Sequence, residues 1–411
     1  MIRAPRRVGV TGLGVVSAIG SSVQEFFEAL VAGRSGVRRL ASRADTVAAC
    51  VEFSAEAHFS KLQLTALDRF AQFALVAADQ AVRDAGLAAN DLTGPRFGIY
   101  FGSGIGGAQT IENSYRAYLD PAQGRVSPMT IVLTMANAAA AHISLRYGVR
   151  GPSFTYSIAC ASAAVAIGEA FRAIRDGYLD LAIVGGAEAL LTPGMVAGWN
   201  AMHVLAVPDK EHPEESCRPF SLNRSGLVLG EGAGVLILEA VENAKRRGLN
   251  PVAEIAGYGV SSDASHLTKP SRDGQAAAMR MALDDAELPA SGIGYVNAHA
   301  TATQVGDSTE SAAIREVFGS GADRVAVSST KALHGHLLGA SGAIELIAAV
   351  EALRTGTIPP TCHYAESDPS CDLDYVPNVA RKVDALHAVM SNSFAFGGTN
   401  AVLVARSASS R

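Results

Sequence analysis

The sequence predicts an α/β protein in which one plan is used twice, and two observations carry that prediction. Short apolar runs with strand character alternate with longer runs at helical spacing, and the connections between strands are too long for hairpins. The same order of signatures then recurs within the 411 residues. Val8 to Ser17 opens the first half and Ala253 to Ser262 the second, each a strand running into Gly-x-Gly. A helix follows in each, ending at Gln80 to Leu87 and at Met281 to Leu288. Next come strands at Phe97 to Phe101 and Ile293 to Ala298, then a strand, a short turn and an alanine-rich helix at Ser153 to Gly177 and Ala326 to Gly356. Within these, Ala166 to Gly177 lines up with Ala343 to Gly356 in helix pattern and terminal glycine. Both halves close on strands: Leu181 to Val184 with Gly234 to Leu238, and Ala388 to Met390 with Ala401 to Val404. Repeated βαβ units imply mostly parallel sheets, and two such halves bring helix layers together as α/β/α/β/α. The seam falls in Glu242 to Pro251, which divides the chain into 1–250 and 251–411.

Composition narrows the function classes. With 48% hydrophobic and 18% charged residues the chain suits a compact protein with a large core. A net charge of −5 gives no reason to expect nucleic acid or an anionic membrane surface. Arg3, Arg6 and Arg7 precede an apolar run, but glycines at 9, 12, 14 and 20 break it, so it makes a poor signal peptide. No other apolar stretch is long enough to span a bilayer. The five cysteines (Cys50, Cys160, Cys217, Cys362, Cys371) are scattered without paired metal-ligand spacing. We therefore expect a reducing cytoplasm and neither a disulfide framework nor a zinc site. Gly12 and Gly14 lack the third glycine and distal acid of a dinucleotide fingerprint.

Four stretches carry candidate chemistry. Cys160, in Ser157-Ile-Ala-Cys-Ala-Ser162, follows the strand ending near Ile158 and precedes the helix that starts around Ala161. Unpaired backbone N–H groups and the helix dipole favour a thiolate there. The same residue also fits a buried thiol used as a small apolar side chain. In the second half, an apolar strand delivers His299 into a loop with Thr301 and Thr303. Ser328 to Gly342 carries Lys331, His334 and His336 at the position equivalent to the Cys160 turn. Ser391 to Asn400 is a glycine-rich turn flanked by Phe394 and Phe396. A lone histidine after a strand, or a Phe-Gly-Gly turn, is commonly structural. His334 and His336 have the spacing of a metal half-site, but no carboxylate or cysteine lies near in sequence, and we expect no metal. Taken together these residues end βα strands on one edge, where open α/β sheets bind ligands.

At this point the chain resembles the β-ketoacyl-acyl-carrier-protein synthases, the elongating, type II-like class of the thiolase superfamily. The match runs from Val8 through Asn400. It rests on Ala159-Cys-Ala-Ser162, Asn297-Ala-His-Ala-Thr301, Ser329-Thr-Lys331 with His336-Leu-Leu-Gly-Ala340, and Asn392-Ser-Phe-Ala-Phe-Gly-Gly-Thr-Asn400. Any one is weak evidence; four in this order are specific. The resemblance implies a thiolase-like fold and an acyltransferase that performs decarboxylative Claisen condensation. Cys160 would accept the acyl chain. The Cys160 and Phe396 N–H groups would form an oxyanion hole. Neutral His299 and His336 would donate to the malonyl thioester oxygen, with Lys331 holding His336 and supplying positive potential. Thr301 and Thr303 would position phosphopantetheine, with Thr268 and Phe394 as further substrate contacts. Phe396 would gate the thiol beside an acyl-pocket wall of Ile105 and Trp199. His334 has no family role and reads as structural. No metal or redox cofactor is implied, since phosphopantetheine arrives on the acyl carrier protein. The resemblance also implies a homodimer, or a heterodimer with a chain-length-setting sister subunit, joined through Ser127 to Gly148. A non-catalytic chain-length subunit is the rival reading; such subunits typically lose the cysteine that this chain keeps.

Three positions depart from the family pattern: Ile158 before the Ala-Cys pair, Ala300 after the first histidine and Ala395 before Phe396. An added methyl is strained wherever φ is positive. In the helix equivalent to Ser60 through Arg69 only Lys61 and Arg69 remain of a basic carrier-docking cluster, with Arg125 and His203 as other candidates. These departures favour a specialised type II pathway over housekeeping fatty-acid synthesis.

Overall fold

The computed structural model describes residues 5–41, 43–122 and 124–408, without the side chains of 89 and 90; Arg3 lies outside that range. The first half is built from strand β1 (Val8–Val16), helix α1 (Arg69–Asp84), β2 (Phe97–Gly102), α2 (Ala138–Tyr147), β3 (Ser153–Tyr156), α3 (Ser162–Arg175), β4 (Leu181–Glu188), α4 (Pro193–Ala201) and β5 (Gly232–Ala240). The second half uses β6 (Ala253–Ser262), α5 (Arg272–Asp285), β7 (Tyr295–Asn297), α6 (Gln304–Phe318), β8 (Ala326–Ser328), α7 (Ser341–Thr355), β9 (Ala388–Phe394) and β10 (Thr399–Ser407). Their strand orders are identical, β1-β5-β4-β2-β3 and β6-β10-β9-β7-β8. A short antiparallel pairing of Val8–Val10 with Ala253–Ile255 joins them into one ten-stranded sheet.

The sheet is more mixed than the βαβ reading implied. In each half the inner pairs β4–β2–β3 and β9–β7–β8 are parallel, but the closing strands β5 and β10 run antiparallel to both neighbours. In the second half the cause is direct return, since β9 reaches β10 through four residues, too few for a crossover; in the first half β5 runs antiparallel although residues 189–231 separate it from β4.

Helices α1 and α2 cover one outer face around Phe70, Phe73, Ile99 and Ile183, and α5 and α6 cover the other around Met279, Ile314 and Val404. Between them α3 and α7 form a shared central layer, giving the expected α/β/α/β/α stack. Their alanines and glycines are needed because the two helices nearly touch. A Cβ on Gly342 would lie 2.9 Å from the backbone N and Cβ of Ala164. The helices align without a gap from Ser162 and Ser341 to the left-handed Gly177 and Gly356, so Ala164, not Ala166, stands opposite Ala343.

Segment 60–69 is not one helix. Lys61–Leu64 makes a single turn capped by Ser60, and Asp68 accepts from Phe70 N–H to start α1 afresh. Among the described residues no helix is long and apolar enough to cross a membrane.

Candidate active site

Cys160 lies in the tight turn between β3 and α3. The turn is fixed by Ala159 at φ +42° and by Ser162, whose hydroxyl accepts from Ile158 N–H at 2.8 Å and donates to Ala159 O at 2.7 Å. The sulfur is buried and 2.9 Å from His336 Nε2, although the two residues are 176 apart in sequence. The N–H groups of Phe396 and of Cys160 itself are directed at it. Burial pushes the thiol up to about 11, against the pull of Lys331 and these two N–H groups; Glu345 adds to the rise. The helix start therefore does not leave a standing thiolate, because loss of water around the sulfur outweighs the dipole.

The histidines come from the facing half. His299 and His336 meet edge to face with ring centroids 5.4 Å apart. Burial first, then the charge of Lys331, holds both well below the ordinary histidine range, so both are neutral. Glu310 fixes the His299 loop by accepting the N–H groups of His299 (2.9 Å) and Ala300 (2.8 Å), and Asn392 donates to the same carboxylate at 2.9 Å. His336 is held by Ser341, whose Oγ is 2.8 Å from Nδ1 and accepts Leu337 N–H at 2.9 Å. That hydroxyl still has one proton to give and one lone pair to offer, so it serves His336 in either tautomer.

Lys331 does not hold His336. Its ammonium forms a fully buried ion pair with Glu345 on α7, and burial lifts Glu345 to about 7 against the pull of that lysine. Lys331 acts on the histidines and the thiol through its charge. His334 is structural: both ring nitrogens are taken, by Thr330 Oγ1 at 2.9 Å and Gly335 O at 2.8 Å.

A cavity of about 340 Å³ opens onto Cys160, His299 and His336. It is lined by Thr301, Thr303, Thr268, Phe394, Phe396, Trp199 and His203 among others, but not by Ile105, which packs beside Trp199 in the apolar cluster behind it. Thr301 and Thr303 hydroxyls are 3.2 Å apart, and the buried Arg224 holds their loop through Thr303 O (3.1 Å) and Gln304 O (2.8 Å). Phe394 packs on His299 with centroids 6.0 Å apart, while the Phe396 ring stacks on Trp199 at 6.1 Å. Gly397 and Gly398 take φ of +93° and +84°, whereas neither Ala300 nor Ala395 has positive φ, so the added methyls are unstrained. The turn is tied to the 263–267 loop by Gly397 N–H to Leu267 O (2.7 Å) and Asp263 N–H to Gly398 O (2.8 Å).

Of the basic residues, Lys61 and Arg125 are exposed, and His203 is exposed at the cavity rim. Arg69 is not free: it forks onto Glu231 at 2.7 and 3.0 Å and lies over the Phe73 ring. Sequence reasoning missed Glu188, Glu310, Ser341 and Glu345. For Glu345 a signal existed, since an acid in a helix whose residues 341–353 are all buried requires a partner.

The β-ketoacyl synthase N-terminal domain model matches residues 5–244 and the C-terminal domain model residues 252–365. The chain belongs to the β-ketoacyl synthase family. It is 42% identical to 3-oxoacyl-[acyl-carrier-protein] synthase 2 of Staphylococcus aureus strain N315 over 408 residues, covering 97% of this chain and 98% of that one. Two solved ketosynthases share its thiolase-like fold. The ishigamide ketosynthase/chain length factor superposes with a TM-score of 0.91 at 36% identity, covering 98% of this chain and 100% of that one. A ketosynthase bound to the hexaketide, in complex with its type II PKS acyl-carrier protein, gives 0.88 at 33% identity with the same coverage.

Proposed function

We propose that this β-ketoacyl synthase condenses an acyl chain held on Cys160 with a malonyl-carrier thioester, in fatty-acid or type II polyketide synthesis. The observation that carries the reading is the meeting of one thiol, two neutral imidazoles and two inward N–H groups at the end of one cavity. In acyl transfer the Cys160 thiol gives its proton to His336 Nε2 as sulfur attacks the incoming thioester. The tetrahedral oxyanion sits between the N–H groups of Cys160 and Phe396, and the departing pantetheine sulfur takes the proton from His336. In condensation the malonyl carbon–carboxylate bond breaks and carbon dioxide leaves. Before this step the ring proton of His336 passes from Nδ1 to Nε2 through solvent, and Ser341 switches from acceptor to donor. The enolate oxygen then accepts N–H from His299 and His336, and the enolate carbon attacks the Cys160 thioester. That attack forms the new carbon–carbon bond, and collapse of the tetrahedral adduct breaks the carbon–sulfur bond and releases the Cys160 thiolate, which regains a proton from solvent. Lys331 supplies positive potential throughout, and Thr301 and Thr303 align the pantetheine arm.

The thioester carbonyls serve as electron sinks, so the cycle needs no metal or redox cofactor; phosphopantetheine arrives on the acyl carrier protein. Lys61 and Arg125, with His203 at the cavity rim, are the groups left for docking that acidic partner. A second chain of this fold, identical or a chain-length-setting sister, covers the face of 127–148. Met129, Ile131, Val132, Met135 and Leu145 are exposed there, and the sheet ends beside it on β3 with Phe154 exposed. Intact-mass analysis with acyl-carrier thioesters of graded length tests the central step. The native protein should gain one acyl group and Cys160→Ala none, while alanine at Cys50, Cys217, Cys362 or Cys371 leaves acylation intact. A stoichiometric thioester on Cys160→Ala would falsify the assignment.

A further inference from the structure

The same three side chains have a second chemical capacity that condensation does not use. Cys160 Sγ and one nitrogen each of His299 and His336 all lie within 4.8 Å of one another, and all three residues are buried. Sequence spacing gave no hint of this, because the thiol and the imidazoles come from opposite halves of the chain. We propose that Cys160, His299 and His336 form a site for one thiophilic divalent ion of the zinc class, and that the ion inhibits the enzyme reversibly.

The ligand set is one sulfur and two imidazole nitrogens, which suits zinc and leaves the fourth tetrahedral position open. Zinc–sulfur and zinc–nitrogen distances of about 2.3 and about 2.0 Å place tetrahedral ligand atoms about 3.3–3.6 Å apart. The present separations bracket that range, from 2.9 Å between Cys160 and His336 to the 4.8 Å limit of the group. Small side-chain movements close the site, and the open position faces the cavity, where water occupies it.

One further feature favours the ion. His336 Nε2 can bind metal with the ring proton on Nδ1, where Ser341 Oγ accepts it as the outer-sphere partner of a metal-bound histidine. His299 has no such partner: its Nδ1 is buried without any hydrogen-bond partner, in a residue only 9% exposed. The charge of Lys331 opposes a cation; its pairing with Glu345 offsets part of that charge, and the thiolate that forms on binding offsets more.

The step balances without redox change. Cys160 loses its thiol proton to solvent as the sulfur–metal bond forms, the imidazoles each give a lone pair, and the hydrated ion sheds its waters except the one that keeps the fourth position. One proton appears per ion bound. Metal and acyl group then exclude each other, because both require the same sulfur.

Anaerobic titration of the full chain with cobalt(II), followed by displacement with zinc(II), tests this. The expected result is one equivalent bound, a thiolate-to-cobalt charge-transfer band with tetrahedral d–d intensity, and one proton released. Acylation should stop at one equivalent of zinc and return with chelator. The band should vanish in Cys160→Ala and equally in native protein whose Cys160 has been alkylated, which keeps the test independent of any folding defect in the variant. Ser341→Ala should weaken zinc binding by about tenfold or more. A band that persists after either blockade, binding below one equivalent, or acylation indifferent to bound zinc would overturn the proposal. None of these outcomes touches the condensation reading, which is measured without metal.

Discussion

The turn before α3 and the turn before α7 are one backbone device used twice, and their differences divide the chemistry between the halves. In each, the residue after the first apolar position has φ +42° (Ala159, Leu338). In each, the serine opening the helix accepts an N–H two residues before the turn centre, Ile158 at 2.8 Å and Leu337 at 2.9 Å. Cys160 and Gly339 are therefore equivalent. Gly339 N–H donates to the buried Glu188 carboxylate at 3.0 Å, and a Cβ there would lie 2.3 Å from Gly104 N. Cys160 N–H has no carboxylate acceptor and points at the sulfur. The serines diverge in the same way: Ser162 gives its proton to Ala159 O, whereas Ser341 turns its hydroxyl to His336 Nδ1. Duplication supplied two rigid turns; the first exposes an N–H and a nucleophile, the second commits its N–H to structure and aims an imidazole.

The largest effect should come from forcing the second turn to resemble the first. Gly339→Ala puts a methyl against the backbone of Ser103 and Gly104, so thermal denaturation should show a loss of about 1–3 kcal/mol. An unchanged melting temperature would mean that the two turns are freely interchangeable. A smaller effect separates the buried pair that only the second half contributes. Glu345→Gln removes a charge that raises the Cys160 thiol, so the pH midpoint for iodoacetamide alkylation should fall. Lys331→Ala removes the leading downward influence and should move it up. Shifts of the same sign in both would break the electrostatic account. The smallest signal concerns the gate. Trp199 is the only tryptophan in the chain and carries the Phe396 ring. Acylating Cys160 should change its emission as Phe396 leaves the stack; an unchanged spectrum on a protein of confirmed acyl mass would argue for a fixed ring.

The comparison also shows which features a sequence displays. Strand–turn–helix order, terminal glycines and the four motifs were legible because each is encoded locally, by residues adjacent in the chain. Ser341 and Glu345 were not, because their meaning lies in a partner several residues away on a folded turn or across a buried layer. Arg69 looked like a solvent cation at a helix start, and only the fold brings Glu231 to it from 162 residues away. Parallel pairing was over-read for a related reason: the local alternation of strands and helices does not reveal that β5 and β10 return antiparallel.

The division of labour between the halves is tested most directly at His299, which belongs to the second half and makes no hydrogen bond to Cys160. His299→Ala should be assayed in parallel for the acyl adduct on Cys160, by intact mass, and for carbon dioxide release from malonyl-carrier protein. The account predicts a full acyl adduct with decarboxylation slowed by about a hundredfold or more, the effect of removing one donor from a developing oxyanion. Normal carbon dioxide release from the acylated variant, or loss of the adduct with decarboxylation intact, would contradict it.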